Sequence, residues 1–169
     1  MFAKIPAPAA KHILNKVPTV AQVSLAVIPF SFKAKAITEL LKVMFKEQME
    51  DEELEFLKDK WVRIEVKDFN LRFEVSFDKQ WRVREPLKAD VTFSADSASL
   101  IKVAAAKEDP DTLFFQRQLQ IEGDTELGLE VKNLLLSIEL DEMPKLMKAS
   151  VDKLAYTVEI LEAKSRQIA

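Results

Sequence analysis

DPDTLFFQRQLQIEGDTELGLEVKNLLLSIE, residues 109–139, is the stretch whose reading decides the fold. Asp109 is a good N-cap and Pro110 suits the first helical position, so a short helix is expected over 110–116. Leu119 and Ile121 alternate with polar neighbours, which predicts a strand over 117–122. Gly123 permits positive φ at the turn, and Asp124 caps the next helix with Glu126 in its first turn. From there Leu127, Val131, Leu134, Leu135 and Ile138 form a helical stripe that must face a core. Gly128 breaks the propensity of that helix at a cost of about 1 kcal/mol relative to alanine. Either the helix packs tightly on a sheet at this point, or a ligand runs past it.

Working outward, the period before this stretch is two. Residues 61–67 alternate with Val62, Ile64 and Val66 on one face. Residues 71–77 place Leu71, Phe73, Val75 and Phe77 on one face and Arg72, Glu74 and Ser76 on the other. Asp78-Lys79-Gln80 reads as a turn, 81–85 as the returning strand broken by Pro86, and 89–94 as a further strand with Ala89, Val91 and Phe93 inward. Short connections predict an antiparallel meander with one wet face. Asp96 is expected to cap a helix over 97–107 that carries Leu100, Ile101, Val103 and Ala104.

Earlier still, residues 34–49 are amphipathic, with Ile37, Leu40, Leu41, Met44 and Phe45 as the buried stripe. The run from Glu50 to Glu53 opens a second short helix and reads as a solvated face, with Leu54, Phe56 and Leu57 partly buried beyond it. After Pro144 a last helix shows apolar residues at Met147, Val151, Leu154, Val158 and Leu161, a narrow stripe suited to lying on the body or on another helix. The expected fold class is α+β, with about five mostly antiparallel strands and helices over one face. The chain divides into an arm (1–33), a central domain (34–143) and a C-terminal helix (144–169).

Charge is unevenly spread. Residues 1–38 hold five lysines and no acid, so that segment is +5 and the remainder −8 in a chain of net charge −3. A basic arm on an acidic body signals a partner and disfavours nucleic acid for the body. Residues 17–32 carry no charge, but the run is shorter than the roughly 20 residues of a spanning helix and contains Pro18 and Pro29. Lysines before an apolar run and the small residues of Ala34-Lys35-Ala36 raise a cleaved secretory signal, against which Ala36 continues into the next helix. The arm suits contact with an anionic membrane surface through Lys16, Val20, Val23, Val27, Phe30 and Lys33; packing on the body suits it equally.

Chemistry is hard to assemble. No cysteine is present, which excludes disulfides and thiolate metal sites, and the one histidine, His12, has no acid near it in sequence. Two glycines allow no phosphate-binding loop. Catalytic residues, metal ligands and cofactors are therefore expected to be none. Eleven phenylalanines and five methionines stand out instead. Phe114 and Phe115 are adjacent on one helix and cannot both enter one core, so one is expected to line a cavity or its mouth. A cavity between helices and sheet is a usual place for a lipid-like ligand, with ordinary core filling as the competing account. On pattern, Phe73, Val91, Phe93, Leu100, Phe114, Phe115, Leu127, Gly128, Val131 and Leu135 are nominated for its wall.

FSADSASLIKVAAAKEDPDTLFFQRQLQIEGDTELGLEVKNLLLSIE, residues 93–139, resembles the core of the sterol carrier protein type 2 family. IPFSFK at 28–33 and DEELEFLKDKWVRIEVKD at 51–68 extend the likeness, within that family, to bacterial ubiquinone biosynthesis accessory factors. The likeness covers 28–143 and is weak outside it. It implies a five-stranded sheet, helices on one side and an apolar pocket between them. It implies lipid binding without catalysis, in an oxygen-independent route to ubiquinone. Isoprenoid quinone intermediates would be the ligands, and the hydroxylating proteins UbiU and UbiV, which bear iron–sulfur clusters, the partners. A general phospholipid or fatty-acid carrier and a pure interaction scaffold are the alternatives. The resemblance places the protein in the cytoplasm, with peripheral contact to the inner membrane as an option.

Overall fold

The computed structural model describes residues 28–105 and 107–138, together with Ala149 and Tyr156. The element order is α1 (Phe30–Met44), α2 (Lys46–Glu50), a 3-10 turn (Glu55–Leu57), β1 (Val62–Val66), a second 3-10 turn (Lys67–Phe69), β2 (Leu71–Asp78), β3 (Gln80–Arg84) and β4 (Val91–Ala95). Then come α3 (Ser97–Ala104), α4 (Pro110–Phe115), β5 (Leu119–Gly123) and α5 (Thr125–Leu136). His12, nearly all of the arm and all but Ala149 and Tyr156 of the expected C-terminal helix lie outside the described residues.

The five strands form one sheet in the order β3-β2-β1-β4-β5. β1, β2 and β3 are the expected meander, and β5 is antiparallel to β4. β4 departs from expectation: it lies beside β1 and runs parallel to it, with Val62 opposite Val91 and Val66 opposite Ala95. The sheet is therefore mixed. Alternation shows that a segment is a strand but not which strand it adjoins. The chain leaves β3 after Arg84 and crosses to β4 without a helix.

The expected wet face holds at Arg72, Gln120 and Glu122, which are exposed, but not around Glu74 and Ser76. The Leu87 N–H donates to Glu74 Oε1 at 3.0 Å, so residues 85–90 pass over the polar side of β2. Glu74 and Ser76, on the side expected to face water, are both fully buried. Arg63 Nη2 and Arg84 Nε donate to the two Glu74 oxygens at 2.8 Å each. Ser76 Oγ donates to the Leu57 carbonyl at 3.2 Å. The Arg84 guanidinium sits 3.5 Å from the Trp61 ring centroid, a close cation–π contact.

The helices start where local chemistry allows. Asp109 accepts from the Asp111 N–H, and Asp124 accepts from the Leu127 N–H at 3.1 Å, so both expected caps form. Asp96 makes no side-chain cap for α3. Asp68, from the second 3-10 turn, takes that role by accepting the Ser97 N–H at 2.8 Å. The helix expected at 34–49 begins earlier, at Phe30, and breaks at Phe45. The break coincides with deep burial of Phe45, whose ring lies 5.7 Å from that of Trp81. Residues 50–53 are exposed, but no second helix opens there, and Leu54 and Leu57 are buried more deeply than expected.

Gly123 has φ +115°, and a Cβ there would run into the Asp90 carbonyl oxygen. Asp90 is pinned: its carboxylate accepts the Trp61 N–H at 2.7 Å, its N–H donates to the Trp61 carbonyl at 2.8 Å, and its carbonyl accepts the Asp124 N–H at 2.9 Å. Gly128 faces the sheet, where a Cβ would meet Ile121 Cγ2 at 3.0 Å and Val91 Cγ2 at 3.5 Å. Close helix-on-sheet packing accounts for this glycine. Gly123→Ala is expected to cost about 3 kcal/mol, since both backbone strain and a backbone clash result. Gly128→Ala is expected to stay within about 1 kcal/mol of the parent, because helix propensity offsets a clash that a side-chain methyl can relieve. Urea unfolding of the two variants measures the contrast.

Candidate functional site

The apolar faces of the strands and the helices above them do not close completely. A cavity of about 260 Å³ remains between them. Its floor is the sheet: Val62 and Ile64 of β1, Phe73 and Val75 of β2, Trp81 of β3, Phe93 and Ala95 of β4, and Leu119 of β5. Its roof is Ile37, Leu40, Leu41 and Met44 of α1, Leu100 and Val103 of α3, and Val131, Leu134 and Leu135 of α5. Phe45, Leu57, Ser99, Leu113 and Ile138 complete the wall. Leu40 is 40% exposed while belonging to the lining, so the space reaches the surface beside α1. At the far end of that helical layer, Gln48 Nε2 donates to the carbonyl and hydroxyl oxygens of Ser137, both at 3.1 Å, tying α2 to the end of α5.

This wall has one chemical character. Among the described residues it holds no ionisable side chain, and their only side-chain N–H or O–H groups in the lining are those of Ser99 and Trp81. Ser99 Oγ donates to Gln118 Oε1 at 3.5 Å. Such a surface takes hydrocarbon from water. Among the described residues, no group of three or more acidic or histidine side chains is placed to hold a metal ion. Among them, too, no helix is long and apolar enough to cross a membrane.

The two perturbed carboxyls lie away from the cavity and serve the fold. Burial opposes ionisation of Glu74, but hydrogen bonds from Arg63, Arg84 and the Leu87 N–H, with the Arg84 charge, hold its carboxyl below the usual range. The Leu127 N–H, against partial desolvation and with help from Lys60, does the same for Asp124.

The nominated residues separate into three groups. Phe73, Phe93, Leu100, Val131 and Leu135 are brought together on the cavity wall. Val91, Leu127 and Gly128 are buried but outside the lining. Phe114 and Phe115 point outward, 42% and 80% exposed, with ring centroids 5.8 Å apart. They border a separate surface cleft of about 390 Å³ along Leu119–Glu122. Leu113, directly before them, is the residue of α4 that enters the core. Of the nominated membrane-contact residues, Lys16, Val20, Val23 and Val27 lie outside the described residues. Phe30 packs against the core cluster and Lys33 is half-buried. Trp81, Ser99 and Leu113 were not nominated. The α1 stripe was expected to be buried, but Ile37, Leu41 and Met44 are half-buried and Leu40 is exposed, and an apolar stripe reads the same whether it touches a neighbour or a void.

The model of the SCP-2 sterol transfer family matches residues 37–136. A protein of Escherichia coli (strain K12), "Ubiquinone biosynthesis accessory factor UbiT", is 44% identical over 149 residues, covering 88% of this chain and 86% of that protein. The protein of the same name from Escherichia coli O157:H7 matches to the same extent. A solved structure described as "UbiJ-SCP2 Ubiquinone synthesis protein" superposes with a TM-score of 0.53 at 24% identity, over 66% of this chain and all of that one. That last likeness concerns the fold alone.

Proposed function

The chain belongs to the SCP-2 sterol transfer family, and from that premise we propose that it is a non-catalytic lipid-binding accessory factor of oxygen-independent ubiquinone biosynthesis. It shelters prenylated intermediates and presents them to hydroxylating partners of the UbiU and UbiV kind. The observation that carries this reading is the cavity of about 260 Å³ with a wall of hydrocarbon side chains. The 44% identity to a ubiquinone biosynthesis accessory factor supports the pathway.

The energetics favour such a role. A polyprenyl tail costs about 0.8 kcal/mol per exposed CH₂, so about ten such groups cost about 8 kcal/mol in water. An intermediate so burdened reaches proteins outside the bilayer only if something covers its tail. The cavity lies just below the roughly 300–1,000 Å³ of ordinary ligand pockets, so it suits an aromatic head with the first isoprene units. The basic N-terminal segment, +5 over residues 1–38, would hold the carrier near anionic headgroups.

The test is extraction and mass spectrometry of full-length protein purified without detergent from quinone-producing cells. Prenylated phenols or quinones are expected in stoichiometric excess over phospholipid. Lipid-free protein that also takes up no added prenylphenol overturns the reading, and a phospholipid-only extract favours a general carrier.

A further inference from the structure

The two edges of the sheet are unlike. β3 has α1 packed beside it, whereas β5, at the other end, pairs only with β4 among the described residues. The Asp124 N–H donates to the Asp90 carbonyl, and these two residues continue the β4–β5 register, in which Val91 faces Gly123. Hydrogen-bonded pairs recur at every second residue of an antiparallel ladder. Gln120 and Glu122 therefore turn their backbone N–H and C=O groups towards β4. Leu119, Ile121 and Gly123 turn theirs outward, to the open edge. The strand has no proline or lysine to guard that edge, and its register with β4 is unbroken. Beside it stand Phe114 and Phe115, 42% and 80% exposed, which with β5 wall the cleft of about 390 Å³. An open edge flanked by exposed rings suits the addition of another strand.

The polar face of β5 selects a strand of its own sequence. Ile121 points to Gly128 of α5, so Gln120 and Glu122 share the opposite face, where both are exposed. Lys67 Nζ donates to Gln120 Oε1 at 2.7 Å, which leaves the amide Nε2 as a donor. In a twofold antiparallel pairing centred on Ile121, Gln120 stands opposite Glu122 of the second copy. A donor backed by a lysine then meets a carboxylate, and does so twice. The same pairing sets Leu119 opposite Gly123 of the second copy, where the missing side chain leaves room for the neighbouring Phe115 ring.

We infer that β5 is a homodimer interface, at which the edge strands of two copies of this chain pair antiparallel about a twofold axis at Ile121. The three outward residues of each copy bond to the three of the other, N–H to C=O in both directions. The phenylalanine pairs close over the seam. Opposed residues of a ladder point to one face, so both helical layers and both cavities lie on the same side of a continuous sheet of ten strands, five from each copy. One short strand and two rings a side make a small interface, so the dimer is expected to dissociate at about 10–100 µM.

The test is sedimentation equilibrium of the full chain over about 2–500 µM, with amide hydrogen exchange read by NMR at both ends of that range. A monomer–dimer equilibrium is expected. The amides of Leu119, Ile121 and Gly123 should gain protection at high concentration, while those of Gln120 and Glu122 stay protected throughout. Phe115→Asp, off the cavity wall and outside the core, is expected to raise the dissociation constant at least about tenfold and to leave lipid content as in the parent. Glu122→Lys brings a lysine to face Gln120 and Lys67 of the second copy and should weaken the dimer about tenfold, since the pair occurs twice. Adding Lys67→Glu turns the Gln120 amide over, so that its oxygen meets the new lysine, and should restore the parent value to within about threefold. The exchange pattern of the parent decides the matter even if a variant fails to fold. A chain that stays monomeric, a dimer indifferent to these substitutions, or a dimer without the alternating protection overturns the inference. Protection of the three outward amides in a monomer also overturns it, by placing another segment of the same chain on the edge. None of these results bears on the lipid-binding reading.

Discussion

Val131→Trp is expected to abolish retention of lipid by a chain that stays folded. Val131 is on the wall of the cavity and 6% exposed, on a helix held at the sheet by the Asp124 N–H bond to the Asp90 carbonyl and by Gly128 packing. An indole there projects into space that no side chain of the described residues fills. Excluding even two methylene groups of a ligand, at about 0.8 kcal/mol each, lowers affinity by more than about tenfold. In a fully packed core the same change would cost about 1–3 kcal/mol in strain. Here the void absorbs the ring, so the unfolding midpoint is expected to hold or rise. Leu129→Trp is the control: it lies on the same helix, 53% exposed and off the wall, and should keep its lipid. Lipid content of both variants by mass spectrometry, with urea unfolding, reads the result. A Val131→Trp protein that retains its lipid places the ligand elsewhere.

Glu74→Gln is expected to be the most destabilising conservative change on the sheet. Glu74 is fully buried, while Arg63 and Arg84 keep side-chain exposures of 25% and 30%. Removing one charge leaves two partly buried guanidinium groups facing a neutral amide. The cost is expected to be about 3 kcal/mol, at the lower end for a broken buried pair because both arginines still touch water. For a chain of this size that lowers the melting temperature by about 6–12 °C.

The same residue sets an acid dependence. A carboxyl with a depressed folded pKa contributes stability that is fully present above its unfolded value. That contribution falls away as pH drops through the folded pKa. Glu74 and Asp124 both shift in this direction, so the parent should lose stability progressively below about pH 4.5, the ordinary glutamate value. Glu74→Gln should flatten that acid limb while lowering stability at neutral pH. Unfolding curves collected from pH 3 to pH 7 measure both effects.

What could be read in the sequence was local, and what could not was the meeting of distant segments. Asp109 and Asp124 cap helices through atoms two and three residues away, so their roles were visible in the order of residues. The Asp68 cap on Ser97 spans 29 residues and was not. Phe73 and Val75 were assigned to the apolar face correctly by alternation. Alternation also sent Glu74 and Ser76 to water, and distant segments meet them instead: the β3–β4 crossover at Glu74 and the Leu57 carbonyl at Ser76. Phe114 and Phe115 drew attention by their size, yet α4 turns the smaller Leu113 inward. Trp81 was placed on the returning strand, but an unpaired indole N–H exists only as the absence of a neighbour, which no linear pattern records.

The hydrocarbon wall has one more consequence. Water gains almost no hydrogen bonds inside such a space, so an unoccupied interior stays dry and its lining forgoes dispersion contacts. Any guest restores those contacts in the folded chain and in no other state, and so raises the melting point by mass action. Heat resistance in this protein is therefore a shared quantity: a washed preparation and a laden one are, thermodynamically, different substances with the same sequence.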